Sequence, residues 1–269
     1  MKDKLTIIKV GGKIVENSDS LASLLKDFSA IEGYKLLVHG GGRTATDIAS
    51  RLGIETTMVN GRRVTDQAML EVVTMVYGGL VNKRIVAGLQ AHGVNALGLT
   101  GADMNVIRSH KRPVKDIDYG FVGDVDEVNA EFLGKLIHEG VVPVMAPLTH
   151  DKQGNLLNTN ADTMAAETAK ALATLYDTTL IYCFELPGVM RDPEDAESLI
   201  ATITGYKCSV LLFHCLKNLR NLHKTFITPL VSIGVVKAFE IVNIKNFNRK
   251  AYLFLHTRFK NFLTVIIQA

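Results

Sequence analysis

Lys9 interrupts the β-branched run "LTIIKV" and stands two residues before Gly11 and Gly12. An ammonium there can be aimed at phosphate groups, because glycine lets the backbone approach a ligand and point successive amides at an anion. A second strand-like run, "YKLLVHGGG", ends in Gly40, Gly41 and Gly42. Two such clusters, each leading into helix-like sequence, predict a site for a polyanion such as a nucleotide phosphate, with helix N-termini adding their positive ends. Neither cluster is a GxGxxG fingerprint, and no GxxxxGK[ST] loop occurs. The loop "NGRRVT" supplies Arg62 and Arg63, either of which could grip a carboxylate with a guanidinium fork. "NTNAD" puts Asn158 and Asp162 at a strand-to-helix junction, where an amide can donate to a carboxylate or phosphate and an aspartate can hold cations in place. The combination suits phosphoryl transfer.

These residues need a frame, and the alternation of strand-like and helix-like segments predicts one: an α/β fold with an open, mainly parallel sheet sandwiched between helices. Ligands of such sheets lie beyond the carboxyl ends of the strands. "DSLASLLKDFSAI" and "RTATDIASRLG" read as helices, the second closed by Gly53. Thr65 can cap a long helix through "DQAMLEVVTMVYGGLVNKRIVAGLQAHG", in which Gly78 and Gly79 predict a kink or a close crossing. "MNVIRSHKRPV" and "DYGFVGDVDEVN" predict a hairpin region, and "TTLIYCF" a further strand.

A chain of 269 residues, 47% of them hydrophobic, can bury a sizeable core and is not a disordered protein. No uncharged apolar run reaches the length of a spanning helix, and the N-terminus lacks a signal-peptide pattern, so a cytoplasmic protein without a membrane partner is expected. Cys183, Cys208 and Cys215 have neither zinc-site nor CxxC spacing, and no protein-held metal site is expected. The net charge of +3 conceals an asymmetry. From Gly205 onward Glu240 is the single acidic residue among ten Lys and Arg, whereas the body before it is net acidic. The basic residues are interleaved with Leu, Phe and Ile, so no nucleic-acid partner is expected.

The motifs "KVGG", "VHGGG", "NGRRVT", "VNK", "GFVGDVDEVN" and "NTNAD", in this order, resemble those of the acetylglutamate kinases of the amino acid kinase superfamily over about residues 4–200. The resemblance implies phosphorylation of the side-chain carboxylate of N-acetyl-L-glutamate by ATP with Mg²⁺, the second step of arginine synthesis. It implies an acylglutamate-binding and dimerisation lobe over 1–178 and an ATP lobe over 179–269. On it, Lys9 steadies the transferring phosphoryl group, Gly11 and Gly12 form its amide cradle, and Asp162 orients the catalytic lysines. Gly41, Gly42, Arg63 and Asn158 would bind the substrate, and Glu185 and Gly188 would lie at the nucleotide edge. The start of the chain on its first strand resembles the arginine-insensitive, homodimeric members, with "EVVTMVYGGLVNKRIV" as the dimer contact. The acyl group stays open between acetyl and a larger group such as succinyl.

Two departures from the family pattern shape the expectation. Glu185 stands where the family has an aspartate. Beyond "ESLIATIT" the family's Gly-Gly loop with a second catalytic lysine is missing, and "SIGVVKAF", with Gly234 and Lys237, has one glycine and a different spacing. The C-terminal lobe is therefore expected to be atypical or incomplete from about residue 205. The alternative function is a weakly active or inactive relative that binds the acylated amino acid.

Overall fold

The computed structural model describes residues 2–59, 61–184, 192, 195, 198, 202–204, 252–255 and 263–268. Glu185, Gly188, Gly234 and Lys237 lie outside the described residues.

The chain begins with β1 (Lys4–Val10), α1 (Gly12–Glu16), α2 (Ser18–Ser29), β2 (Tyr34–His39) and α3 (Gly42–Arg51). A two-stranded hairpin of β3 (Met58–Val59) and β4 (Arg62–Arg63) follows. The long helix has three parts: α4 (Gln67–Val73), a π-helical segment Thr74–Val81, and α5 (Asn82–Gln90). Next come β5 (Ala96–Leu99), β6 (Ile107–Lys111), β7 (Val122–Val128), α6 (Ala130–His138) and β8 (Val142–Met145). After β9 (Leu148–His150) and β10 (Leu156–Thr159), α7 (Ala161–Leu172) leads into β11 (Asp177–Phe184). Three further strands are β12 (Thr202–Thr204), β13 (Tyr252–Leu255) and β14 (Leu263–Gln268).

The main sheet has eight strands in the order β12-β13-β14-β11-β1-β2-β8-β5. From β11 to β5 the neighbours are parallel, while β14, β13 and β12 extend the sheet antiparallel beyond β11. The predicted mainly parallel sheet is thus present, and so is the hairpin region, where β6 and β7 pair antiparallel. β10, β7, β6 and β9 close into a small barrel that periodicity alone did not announce.

Strand alternation sends neighbouring side chains to opposite faces. Ile8, Val10 and Leu37 pack with Leu24, Phe28, Val73, Ile85 and Leu89 on one face. Ile7, Leu36 and Val38 pack with Leu133, Ile137, Met164 and Leu172 on the other. Each such side chain contributes about 1.5–3 kcal/mol by leaving water, so both helical layers are fixed to the sheet.

Two sequence expectations change in detail. Asp66, rather than Thr65, caps the long helix, its carboxylate accepting the Met69 N–H at 2.8 Å. Thr65 is held extended in a bridge to Gly120: its N–H donates to Tyr119 O at 2.9 Å and its carbonyl accepts from Phe121 N–H at 2.7 Å. Gly78 and Gly79 mark a π-helical turn instead of a sharp kink. Gly78 is also a close crossing, for a Cβ there would sit 3.5 Å from Leu148. By length and composition the run Gln67–Gln90 would suit a membrane span. Here Val72, Val73, Val76, Ile85 and Leu89 are buried in the protein core.

Candidate functional site

β1 and β2 are adjacent, parallel and in register, Val10 opposite His39, so their glycine turns leave the sheet side by side. Gly40 N–H donates to Val10 O at 3.0 Å, and Gly11 N–H donates to Cys183 O on β11 at 2.9 Å. The turns also face each other. A Cβ on Gly12 would stand 3.9 Å from the amide nitrogens of both Gly41 and Gly42. Gly42 opens α3, whose first-turn N–H groups lack helical partners; Thr44 N–H finds one in the Glu16 carboxylate at 3.1 Å. The convergence of amides and a helix N-terminus is what an anion requires.

Lys9 reaches the same end of the sheet. Its Nζ lies 2.6 Å from Asp162 Oδ1, with 14% and 12% of the two side chains exposed. Asp162 sits in the first turn of α7, where the helix dipole favours an anion. The cap itself is Asn160, which accepts the Thr163 N–H at 2.9 Å and frees Asp162 for the lysine. Tyr182, opposite Lys9 on β11, donates its hydroxyl to the Asp162 carbonyl at 3.3 Å. Burial raises the Tyr182 phenol well above its ordinary pKa, with the Asp162 charge adding to the effect, so it stays a donor.

The two arginines of β4 part company because consecutive strand residues face opposite ways. Arg63 is buried; its Nη2 donates to Gly42 O at 2.7 Å and to Thr46 Oγ1 at 2.9 Å, and its Nη1 to Thr56 Oγ1 at 3.3 Å. Arg62 lies by Arg112 and Asp124 instead, its guanidinium pKa lowered by burial and by the Arg112 charge. Asn158 Nδ2 donates to Thr65 Oγ1 at 3.0 Å, and that hydroxyl donates to Arg63 O at 3.1 Å. The structure therefore joins Gly41, Gly42, Arg63 and Asn158 by direct or one-residue contacts, with Gly11, Gly12, Lys9 and Asp162 alongside.

Three residues of this surrounding shell were not singled out in sequence. Tyr77 sits inside an apolar helical run, while Asn82 falls in the motif "VNK" and His39 in "VHGGG", with no role of its own assigned to either. The adjacency of His39 to Gly40 was the available signal. Among the described residues, no three His, Cys, Asp or Glu side chains gather as a metal site.

The family model described as "Amino acid kinase family" matches residues 4–207. An acetylglutamate kinase of Phocaeicola vulgatus is 74% identical over 204 residues, covering 76% of this chain and 79% of that protein. An acetylglutamate kinase of Methanopyrus kandleri is 42% identical over 203 residues, covering 74% and 78%. Among solved structures, an N-acetylglutamate synthase from Neisseria gonorrhoeae, complexed with coenzyme A and N-acetyl-glutamate, superposes with a TM-score of 0.71 at 21% identity. That match covers 88% of this chain and 51% of the other, and it is a likeness of fold.

Proposed function

The chain belongs to the amino acid kinase family, among its acetylglutamate kinases, and from that premise we propose that it transfers a phosphoryl group from MgATP to the side-chain carboxylate of N-acetyl-L-glutamate, in arginine synthesis. The observation that carries this reading is the Lys9–Asp162 pair beside two mutually facing glycine turns, one of which is tied to Arg63.

In this reading Arg63 and Asn158 hold the α-carboxylate end of the substrate at Gly41 and Gly42. The side-chain carboxylate is already ionised near neutral pH, so no general base is needed. Its oxygen attacks the γ-phosphorus in line, an acyl phosphate O–P bond forms, and the bond to the ADP oxygen breaks. Lys9 and the amides of Gly11 and Gly12 stabilise the charge on the moving phosphoryl group. Asp162 fixes where the Lys9 ammonium points. Mg²⁺ arrives with the ATP substrate, held mainly by phosphate oxygens and water. We place the protein in the cytoplasm as a homodimer that uses the long helix, on which Met75 and Leu80 are exposed.

A second reading, binding of the acylglutamate with little transfer, rests on the family match ending at residue 207 of a chain of 269. Titration calorimetry with N-acetylglutamate and with MgATP, followed by a coupled ADP assay, separates the two. Binding of both ligands with turnover of about 1–100 per second supports the kinase, the usual range for such enzymes. Binding of the acylglutamate alone supports the second reading, and binding of neither overturns both.

A further inference from the structure

The glycine turn after β2 is held from behind by one helix, at two points. Tyr77 packs its ring under Gly41, so closely that a Cβ on that glycine would lie 3.0 Å from Tyr77 Cδ1, and its hydroxyl faces the same point as the Arg63 guanidinium, for a Cβ on Gly42 would lie 4.0 Å from the one and 3.8 Å from Arg63 Nη2. Asn82 holds the other point. Its Nδ2 donates to His39 Nε2 at 3.1 Å and to Val144 O at 2.9 Å. An amide NH₂ can only donate, so His39 Nε2 is the acceptor and the ring proton sits on Nδ1, which donates to Gly40 O at 2.8 Å.

Tyr77 and Asn82 are five residues apart, and in an α-helix that spacing turns the second side chain roughly 140° away from the first. Here the Asn82 N–H donates to the Tyr77 carbonyl, an i to i+5 bond. In that ladder the hydrogen bond closes over five residues, which brings side chains five apart back toward one face. The π-helical turn is thus what lets one helix grip Gly40 through His39 and Gly41 and Arg63 through Tyr77.

We propose that the π-helical segment Thr74–Val81 is a positioning device for the acylglutamate pocket, with Tyr77 and Asn82 as positioning residues that set the Gly40–Gly42 turn and the Arg63 fork. The inference rests on the proposed substrate. Gly98 on β5 is part of the device, because a Cβ there would fall 1.8 Å from Asn82 Oδ1 and drive the amide away from His39.

The test is calorimetric N-acetylglutamate binding by the full chain and by Tyr77→Phe, Asn82→Ala, Gly98→Ala and the Gly98→Ala/Asn82→Ala double variant. Nitrogen NMR of the His39 ring and of the Gly40, Gly41 and Gly42 amides accompanies it. Each single variant should weaken binding about tenfold, the scale of one lost polar contact with a charged or buried group. The double variant should lose little more than Asn82→Ala alone, since both act through one amide. Asn82→Ala and Gly98→Ala should move the same His39 and glycine signals. Tyr77→Phe removes a single oxygen, and so carries the test if the others fail to fold. Affinities within about twofold of the unaltered protein, in folded variants with unmoved signals, would overturn the inference. If the unaltered protein does not bind N-acetylglutamate, the substrate assignment fails, and the NMR signals alone decide whether this helix sets the turn.

Discussion

Acid should loosen this protein through His39. The ring is fully buried, accepts from Asn82 at Nε2 and donates from Nδ1, so it has a partner at each nitrogen only in the neutral state. Burial pushes its pKa down from 6.5 to about 4, against the opposing pull of the Gly40 carbonyl. The unfolded chain binds this proton at 6.5, the folded chain only near 4, so the unfolded state gains as pH falls. The contribution of neutral His39 is fully present above 6.5, erodes as pH falls through the window down to about 4, and is spent below it. A shift of that size corresponds to about 3 kcal/mol, a large fraction of the stability of an ordinary domain. Urea denaturation across that window, on the wild type and on His39→Gln, isolates the effect. Carboxylates titrate equally in both proteins and cancel in the difference. The difference in unfolding free energy should shrink toward acid by about 3 kcal/mol. A difference that stays flat from pH 6.5 to about 4 would refute the reasoning, as would an NMR titration of the His39 ring centred near its ordinary value.

Gly12→Ala should fold normally, since its Cβ would meet its nearest neighbours at an ordinary 3.9 Å, yet place a methyl between the two glycine turns. Binding of MgATP or of the phosphorylated product should fall at least about tenfold by calorimetry, with an unchanged melting temperature. Arg63→Lys should cost about 1–3 kcal/mol of stability by urea denaturation, because an ammonium cannot span Gly42, Thr46 and Thr56 together, and should weaken N-acetylglutamate binding as well. Asp162→Asn removes the partner of Lys9; any phosphoryl transfer should drop about a hundredfold or more while N-acetylglutamate affinity changes by less than about threefold.

The parts of the site visible in sequence were those whose chemistry is carried by residue type and immediate neighbours. Lys9 ahead of Gly11 and Gly12, and Asp162 behind Asn158, can be placed by the rule that parallel strands deliver their carboxyl ends to a common edge. Spacing leaves Arg62 and Arg63 open and the family resemblance names Arg63; the physical reason, the register of β4, is one that a two-residue strand does not advertise. Thr65 and Asp66 are both good caps, and only the bridge to Gly120, a partner 55 positions away, decides between them. The π turn is harder still. Its pattern of apolar residues reads as one helix, and the change from i+4 to i+5 bonding shows only when Tyr77, Asn82 and the β2 turn are together in space.

On the proposed function, binding and transfer draw on different lengths of chain. The residues proposed for binding, Arg63, Asn158, Gly41 and Gly42, with Tyr77, Asn82 and His39 behind them, all lie from β2 to β10, within the residues the family match covers. The proposed phosphate side begins earlier, with Lys9 on β1 and Gly11 and Gly12 after it, and its turn hangs on the Cys183 carbonyl near the end of β11. β11 is also where the parallel part of the sheet stops, for its outer neighbour is the antiparallel β14, drawn from the basic C-terminal stretch. A charge on a moving phosphoryl group must be met from both ends, because the attacking and leaving oxygens lie in line. In the proposed reaction the residues up to β11 meet it from the acceptor end through Lys9. On that proposal the leaving-group end falls to the stretch beyond residue 184, within which the family match ends at residue 207, so departures past that point should reduce transfer long before they reduce recognition of the acylated amino acid.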